Sequence, residues 1–304
     1  MKKVLACALS LILMLTLAAC AGQSRPADTL VLHDGMVSEV RLMSRIVKYL
    51  VEEHTNLKVN MKDQMTSVNI FNEMQAGNVD VMTSYDGTLL TTYLHMDPAD
   101  VPPGQTLYDF ANYHAREQKD VFLLEKVGIN NTYAVGVAHE VAAELNLNTI
   151  SDLALVADQL IFGAEHEFFS EEGMAKFSPF SAFYGLNFKE VRQIDVNLKY
   201  TAAENRNIDV MIVYTTDGLN KKANLKVLED DRNYFPEYNL ALLVPIDLFE
   251  RKKDAAPNLE EVLNKLAGQC TSEEMVELTY AVDVEGRDLD DVALEFLRTR
   301  GLIA

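Results

Sequence analysis

Asn78-Val79-Asp80-Val81-Met82-Thr83-Ser84-Tyr85 recurs further along the chain as Asn207-Ile208-Asp209-Val210-Met211-Ile212-Val213-Tyr214. In each stretch a Tyr lies five residues after an Asp, at the end of an apolar run. A polar turn with Gly and Thr follows both: Asp86-Gly87-Thr88 in the first, Thr215-Thr216-Asp217-Gly218 in the second. A strand that ends in Tyr and then turns presents that Tyr at its C-terminal edge, where open α/β sheets bind their ligands. Two such strands, far apart in sequence, predict two similar α/β lobes, each offering a Tyr to a shared cleft.

The surrounding pattern alternates in the way such lobes require. Thr29-Leu30-Val31-Leu32-His33 reads as a first strand. Met43, Ile46, Val47, Leu50 and Val51 follow at helical spacing, and residues 57–61 alternate as a strand. Residues 68–75 read as a helix stopped by Gly77, and the Val79–Met82 strand comes next. This β-α-β-α-β order is the unit of a parallel sheet flanked by helices. A second series begins near His139, with a Ser151-capped segment, a strand at 160–163, a helix around 179–184 and the strand 208–213. The C-terminal part reads as helical, with a capping box at Thr271 and Glu274 and a stop at Gly301. Extended segments near 121–137 and 238–245 are the expected crossovers. The predicted architecture is a hinged, two-lobed α/β binding protein, each lobe a mostly parallel sheet flanked by helices. Residues 29–130 and 240–304 form lobe 1, and residues 131–239 form the inserted lobe 2.

The start of the chain reads as an address. Lys2 and Lys3 precede an apolar run, Val4 to Leu17, that is too short and wrongly flanked for a spanning helix. Leu17-Ala18-Ala19-Cys20 then matches a bacterial lipobox. Residues 1–19 are the expected signal peptide, Cys20 the lipidated mature N-terminus and residues 20–28 a tether. The expected location is the extracytoplasmic face of a bacterial cell membrane. Cys7 leaves with the signal, so Cys270 has no partner for an intrachain disulfide. Removing Lys2 and Lys3 takes the formal charge from −19 to −21, which argues against nucleic acid and against docking on anionic lipid.

Catalytic and metal motifs are missing. There is no P-loop, no Gly-x-Gly-x-x-Gly and no Gly-x-Ser-x-Gly. His166-Glu167 resembles the start of a zinc-protease helix, but Ser170 stands where the second His should be. The 6 His are scattered. No metal, no cofactor and no enzymatic activity are expected. The aromatic inventory is 12 Tyr and 13 Phe with no Trp. Tyr85, Tyr133, Tyr214 and Tyr238 each border a predicted turn or crossover. Tyr faces carry negative potential, and a ring of them solvates a quaternary ammonium, which has no hydrogen-bond donor to satisfy.

At these residues the chain resembles the substrate-binding proteins of osmoprotectant ABC importers, the OpuC/ProX type that receive glycine betaine, carnitine or choline. The resemblance runs through nearly the whole mature chain. It includes Asp80 to Thr88, Val127-Gly128-Ile129-Asn130-Asn131-Thr132-Tyr133-Ala134 and Thr149-Ile150-Ser151-Asp152-Leu153. It continues through Phe162 to Phe169, Tyr184-Gly185-Leu186, Tyr214 to Gly218, Leu228 to Tyr238 and the end from Val292 to Ile303. The resemblance implies a two-lobed, periplasmic-binding-protein-like fold of type II and an aromatic cage for a trimethylammonium group made by Tyr85, Tyr133, Tyr214 and Tyr238. Thr88 is then a polar contact near the ligand's other end, with Asn131 and Glu39 completing the candidate set. The implied partners are the quaternary ammonium solute, an ABC permease subunit and the membrane through the lipid on Cys20, with the protein a monomer.

Two departures bear on the ligand. Family members commonly carry a Gln in a Thr-Glu-Gln context, where this chain has Ser38-Glu39-Val40. That contact is lost or passes to Glu39 or Ser38. Many members also have an Arg after the run matching Glu167-Phe168-Phe169-Ser170, where Glu171 and Glu172 stand here. If these face the ligand, a betaine carboxylate meets negative charge, which favours choline or another ligand without a carboxylate. The alternatives are the same scaffold binding another cationic or amino-acid-like solute, and an orphan sensory binding protein. The chain ends at Ala304 soon after its last predicted helix, so no fused permease is expected.

Overall fold

The computed structural model describes residues 28–170, 176–195 and 198–304. The predicted signal with Cys7, the lipobox Cys20, most of the tether, and Glu171 and Glu172 lie outside the described residues.

Among the described residues ten strands carry the fold: β1 (Thr29–His33), β2 (Lys58–Lys62), β3 (Met82–Tyr85), β4 (Val121–Leu123), β5 (Tyr133–Ala138), β6 (Ile161–Ala164), β7 (Glu190–Gln193), β8 (Val210–Tyr214), β9 (Leu225–Leu228) and β10 (Leu240–Pro245). The later five-stranded sheet has the order β7-β6-β8-β5-β9. Within it β6 is parallel to β7 and β8, while β5 is antiparallel to β8 and β9. In the other half, β1 pairs with β2 in parallel, and β10 lies antiparallel between β3 and β4. These two pieces meet where the amides of Asp80 and Val81 donate to the Val31 carbonyl, at 2.9 and 3.4 Å. The resulting order, β2-β1-β3-β10-β4, repeats that of the other sheet strand for strand. In both, the strand that runs against its neighbours, β10 or β5, is the one fed by a crossover. The chain is thus a mixed α/β protein of two lobes.

The opening repeat is a structural repeat. Asp80 N donates to Val31 O and Val31 N donates to Asp80 Oδ2, both at 2.9 Å. Asp209 N donates to Ile161 O and Ile161 N donates to Asp209 Oδ2, again at 2.9 Å. Each Asp thus closes the same two-bond staple onto the neighbouring strand. This explains why β3 and β8 begin at Met82 and Val210 rather than at the expected Val79 and Ile208. The carboxylate takes the amide that a regular ladder would use. Asp80 is 0% exposed and also pairs with Arg251 Nη1 at 3.0 Å.

Apolar residues fill both faces of each sheet by strand alternation. Leu240, Leu242 and Val244 face one core, and Ala241 and Leu243 face another. Val210 and Ile212 divide from Met211 and Val213 in the same way. Helix α1 (Ser38–His54) inserts Leu42, Met43, Ile46, Val47, Leu50 and Val51 into the first core. Each such side chain contributes about 1.5–3 kcal/mol by burial. Helix α2 (Ser67–Gln75) ends before Gly77, whose φ of 75° suits its lack of Cβ. The segment assigned to a Ser151 cap starts instead at Thr149, in a capping box with Asp152, while Ser151 N donates to Asp231. Helix α3 (Lys199–Glu204) packs near β8. Helix α4 (Ser272–Asp283) carries the expected Thr271–Glu274 capping box, and α5 (Leu289–Thr299) precedes Gly301. Cys270 is buried, and burial pushes its thiol up to about 12.

The staple makes a measurable claim. Removing the Asp80 carboxylate strands the buried Val31 amide and leaves Arg251 with Asp247 as its remaining carboxylate partner, so Asp80→Ala is expected to cost about 2 kcal/mol. Asp209→Ala, lacking the ion pair, should cost about 1 kcal/mol. Urea unfolding monitored by circular dichroism measures both. A loss below about 0.5 kcal/mol for Asp80→Ala would show that the staple holds nothing.

Candidate functional site

Two crossovers run side by side between the sheets. Asn130 and Asn239 form an antiparallel bridge. Asn131 N donates to Tyr238 O and Leu240 N to Ile129 O, each at 2.9 Å. Tyr238 N donates to Asn130 Oδ1 at 2.7 Å, and Thr132 Oγ1 to Pro236 O at 2.7 Å. Asn131, Tyr133 and Tyr238 therefore belong to one hydrogen-bonded ribbon.

The strand ends meet this ribbon from both sides. Tyr214, last in β8, is the register partner of Tyr133, first in β5. Residues directly opposite on antiparallel strands share a face, and their rings stack with centroids 5.1 Å apart at 25°. Phe168 and Phe235 extend this wall, 5.8 and 6.1 Å from Tyr133. Tyr214 is 40% exposed, the open end of the stack. Burial pushes the Tyr133 and Tyr214 hydroxyls up, so both stay neutral.

Tyr85, last in β3, is the register partner of Leu240. Its hydroxyl donates to Glu39 Oε1 in the first turn of α1, and Asn131 Nδ2 donates to the same oxygen at 3.1 Å. Glu39 is 4% exposed. Burial raises its pKa above the ordinary 4.5, against the opposing effect of Thr216, Tyr85 and Asn131. Glu39 Oε2 has no partner in full hydrogen-bonding geometry, although the Thr216 hydroxyl is near enough to favour the ionised form. One carboxylate thus touches the first lobe's Tyr, the ribbon and the turn after β8.

Tyr238 packs on the turn after β3. A Cβ placed on Gly87 would fall 2.5 Å from Tyr238 Cζ, so only glycine admits the ring. Asp86 anchors that turn, accepting from Gly87 N at 2.7 Å, Asn239 N at 2.8 Å and Asn239 Nδ2 at 2.7 Å. Thr88 follows in the same turn, partly buried. The structure therefore brings Tyr133 and Tyr214 into direct contact, joins Tyr85, Glu39 and Asn131 in a hydrogen-bonded cluster, and packs the Tyr238 ring of the ribbon on the turn that carries Thr88. Among the described residues no three His, Cys, Asp or Glu side chains are placed to hold a metal ion, and no helix is long and apolar enough to cross a membrane.

Residues 28–299 match the family described as the substrate binding domain of ABC-type glycine betaine transport systems. The chain belongs to this family. It is 32% identical to the carnitine transport binding protein OpuCC of Listeria monocytogenes over 89% of this chain and 86% of that one. It is 31% identical to a glycine-betaine-binding protein of Pseudomonas aeruginosa, over 94% of this chain and 93% of the other. The crystal structure titled as a glycine betaine/carnitine/choline ABC transporter superposes with a TM-score of 0.81 at 28% identity, covering 90% of this chain and 99% of that one. Members of the family are solute receptors of transporters, not enzymes.

Sequence reading missed Phe168, Phe235 and Asp86, and it missed the Glu165–Lys199 pair behind Tyr214. Phe168 and Phe235 lie outside β5 and β8, so the register of that pair carried no signal for them. Asp86 was legible as the first polar residue after the repeat. Lys199 carried no signal, because its place depends on helix α3 folding across the end of β8.

The environment of Glu39 has a pH consequence. A carboxyl raised in the folded protein holds its proton more tightly than in the unfolded chain, where it titrates near 4.5. The stability this contributes is complete below that pH and is lost as pH rises through the folded value. Asp86, also raised by burial, acts in the same direction. Glu39→Gln cannot ionise, so its Tm should fall less between pH 4.5 and 8 than that of the parent. Parallel Tm curves in differential scanning fluorimetry would rule the shift out.

Proposed function

We propose that this protein is the extracytoplasmic receptor of an ABC importer for a quaternary ammonium solute of the choline, glycine betaine or carnitine class. The reading rests above all on the stacked Tyr133–Tyr214 pair at the strand ends, with Tyr238 on the crossover ribbon and Tyr85 at the end of β3. Neutral aromatic faces attract a trimethylammonium group without needing a donor from it, and each contributes roughly 0.5–2 kcal/mol. Residues 29–130 with 240–304, and 131–239, are the two lobes in this reading. The paired crossovers at Asn130 and Asn239 are the hinge. Thr88, Asn131 and Glu39 supply the polar contacts. Cys20 carries a lipid that holds the receptor, as a monomer, near its permease.

One observation favours a second ligand type. The buried Glu39 carboxylate suits a solute that brings a positive charge together with a hydrogen-bond donor, and it disfavours one ending in an unscreened carboxylate near it. A 30% identical relative over 87% of this chain, from Helicobacter pylori, is named an ergothioneine transport permease and binding protein; this chain spans 46% of its length. Another cationic or amino-acid-like solute is the alternative within the same scaffold.

Calorimetry of the mature protein with choline, glycine betaine, carnitine and proline betaine decides the ligand class. At least one should bind with a Kd in the micromolar range, about −8 kcal/mol. Flat traces for all four would overturn the proposal. Tyr214→Ala and Tyr85→Ala should each weaken binding at least about tenfold. Tyr214→Phe should bind within about threefold of the parent, because the ring face is kept. Tyr85→Phe should instead lower Tm, because Glu39 loses a donor. Normal binding by both alanine variants would exclude these rings from the site.

A further inference from the structure

Behind the aromatic wall lies a charged pair that the cage reading leaves unused. Lys199, at the start of α3, is 2% exposed, and its Nζ sits 5.5 Å from the centroid of the Tyr214 ring. The same ammonium lies 5.5 Å from the Tyr200 ring and 3.4 Å from the Ile212 carbonyl oxygen, to which it donates. Its ion-pair partner is Glu165, directly after β6, with Oε2 at 3.5 Å. Glu165 is 8% exposed, and that oxygen has no hydrogen-bond partner. Strands β6 and β8 are parallel neighbours, so the pair stands at their C-terminal edge, the edge at which α/β sheets take ligands.

A buried ammonium on a ring that is meant to receive another ammonium is a conflict. Tyr214 offers one quadrupole, and Lys199 already draws on it. Two like charges near one ring in a poorly screened site repel each other strongly. Glu165 is placed to cancel that repulsion. Burial is the largest cause that pushes the hydroxyls of Tyr133 and Tyr214 up, and the Glu165 charge adds to it at both, while the contact between the two rings raises Tyr133 and lowers Tyr214. The carboxylate is therefore felt at the wall itself.

We propose that Glu165 and Lys199 form a built-in charge balance that sets how strongly the Tyr133–Tyr214 wall attracts a cation. Lys199 lowers the attraction, Glu165 restores it, and neither touches the solute. They are positioning residues acting through Tyr214. The inference rests on the cation-binding reading above and adds what tunes it.

The two halves of the pair must act with opposite sign, which a purely structural role does not produce. With the tightest-binding of choline, glycine betaine and carnitine as probe, Glu165→Gln should weaken binding by about tenfold or more, because Lys199 is left uncompensated. Lys199→Met should tighten it by about threefold or more, because Glu165 is left facing the wall. The double variant should return to within about threefold of the parent, a non-additivity that marks a coupled pair. Tm of each variant reports folding. Should Glu165→Gln not fold, Lys199→Met and the double variant still carry the test. Loss of affinity in both single variants, or additive loss in the double, overturns the charge balance while the cation reading stands. If the parent protein binds none of the probes, the cation reading falls first and the balance falls with it.

Discussion

Each lobe depends on one carboxylate bonded to backbone, fully buried at Asp80 and partly buried at Asp209. Asp80 and Asp209 each accept an amide from the adjacent strand and return their own amide to the same residue's carbonyl. A carboxylate in a low-dielectric interior is costly unless its lone pairs are filled. The bonded geometry is therefore strongly preferred to any slipped register. A slip of one residue would also turn the whole strand inside out. With the Asp fixed, the strand that follows has a fixed length, and its last residue arrives at a fixed height. In both lobes that residue is a tyrosine.

The crossovers supply the second constraint. In each sheet the reversed strand is the one arriving from the other lobe, and it pairs with the strand that ends in Tyr. The rings are thereby set against the crossover ribbon rather than at a remote sheet edge. Tyr133 meets Tyr214 because they are register partners, and Tyr238 meets the β3 turn because Gly87 has no side chain. Asp86 then bonds Asn239 on the same ribbon. The arrangement is a product of topology. Two similar sheets exchange one strand's approach path, and Tyr133 and Tyr214 at one exchange point are brought into contact without any loop built for the purpose.

Much of this was legible in the chain. The repeat, the α/β alternation and the strand-end tyrosines are local patterns of spacing, and spacing survives into structure. What was not legible depends on pairing. The shared two-bond staple could not be seen, because an Asp before an apolar run looks the same whether its carboxylate faces water or a neighbouring amide. The late starts of β3 and β8 follow from it. Thr149 displaced Ser151 as the cap because Asp152 stands three residues after Thr149 and closes the box, while Ser151 N is drawn to Asp231. Glu39 was visible only as a departure from a family pattern. Its burial, and its contact with Tyr85 and Asn131, required α1, β3 and the ribbon to be placed first.

The same geometry constrains how the lobes move against each other. Helix α4, in the C-terminal segment, holds the turn after β8 closely. Thr279 Oγ1 donates to Thr216 O and accepts from Gly218 N, each at 3.0 Å. A Cβ on Gly218 would fall 2.4 Å from Tyr280 N, so the two backbones touch. A rotation that preserves these bonds and the Asn130–Asn239 bridge has its axis near both. Glu39 sits beside that axis, in contact with Tyr85 and Asn131 and close to Thr216. Residues near an axis move least, so this buried cluster can persist while the cleft changes width. Tyr214 directly precedes Thr215, whose hydroxyl donates to Asn130 O at 2.7 Å, so its backbone stays close to the same ribbon while its ring is the open end of the stack. In the cation-binding reading proposed above, a solute that engages Tyr214 together with Tyr85 or Tyr238 does two things at once. It fills the aromatic wall, and it favours the lobe angle at which both sides reach it.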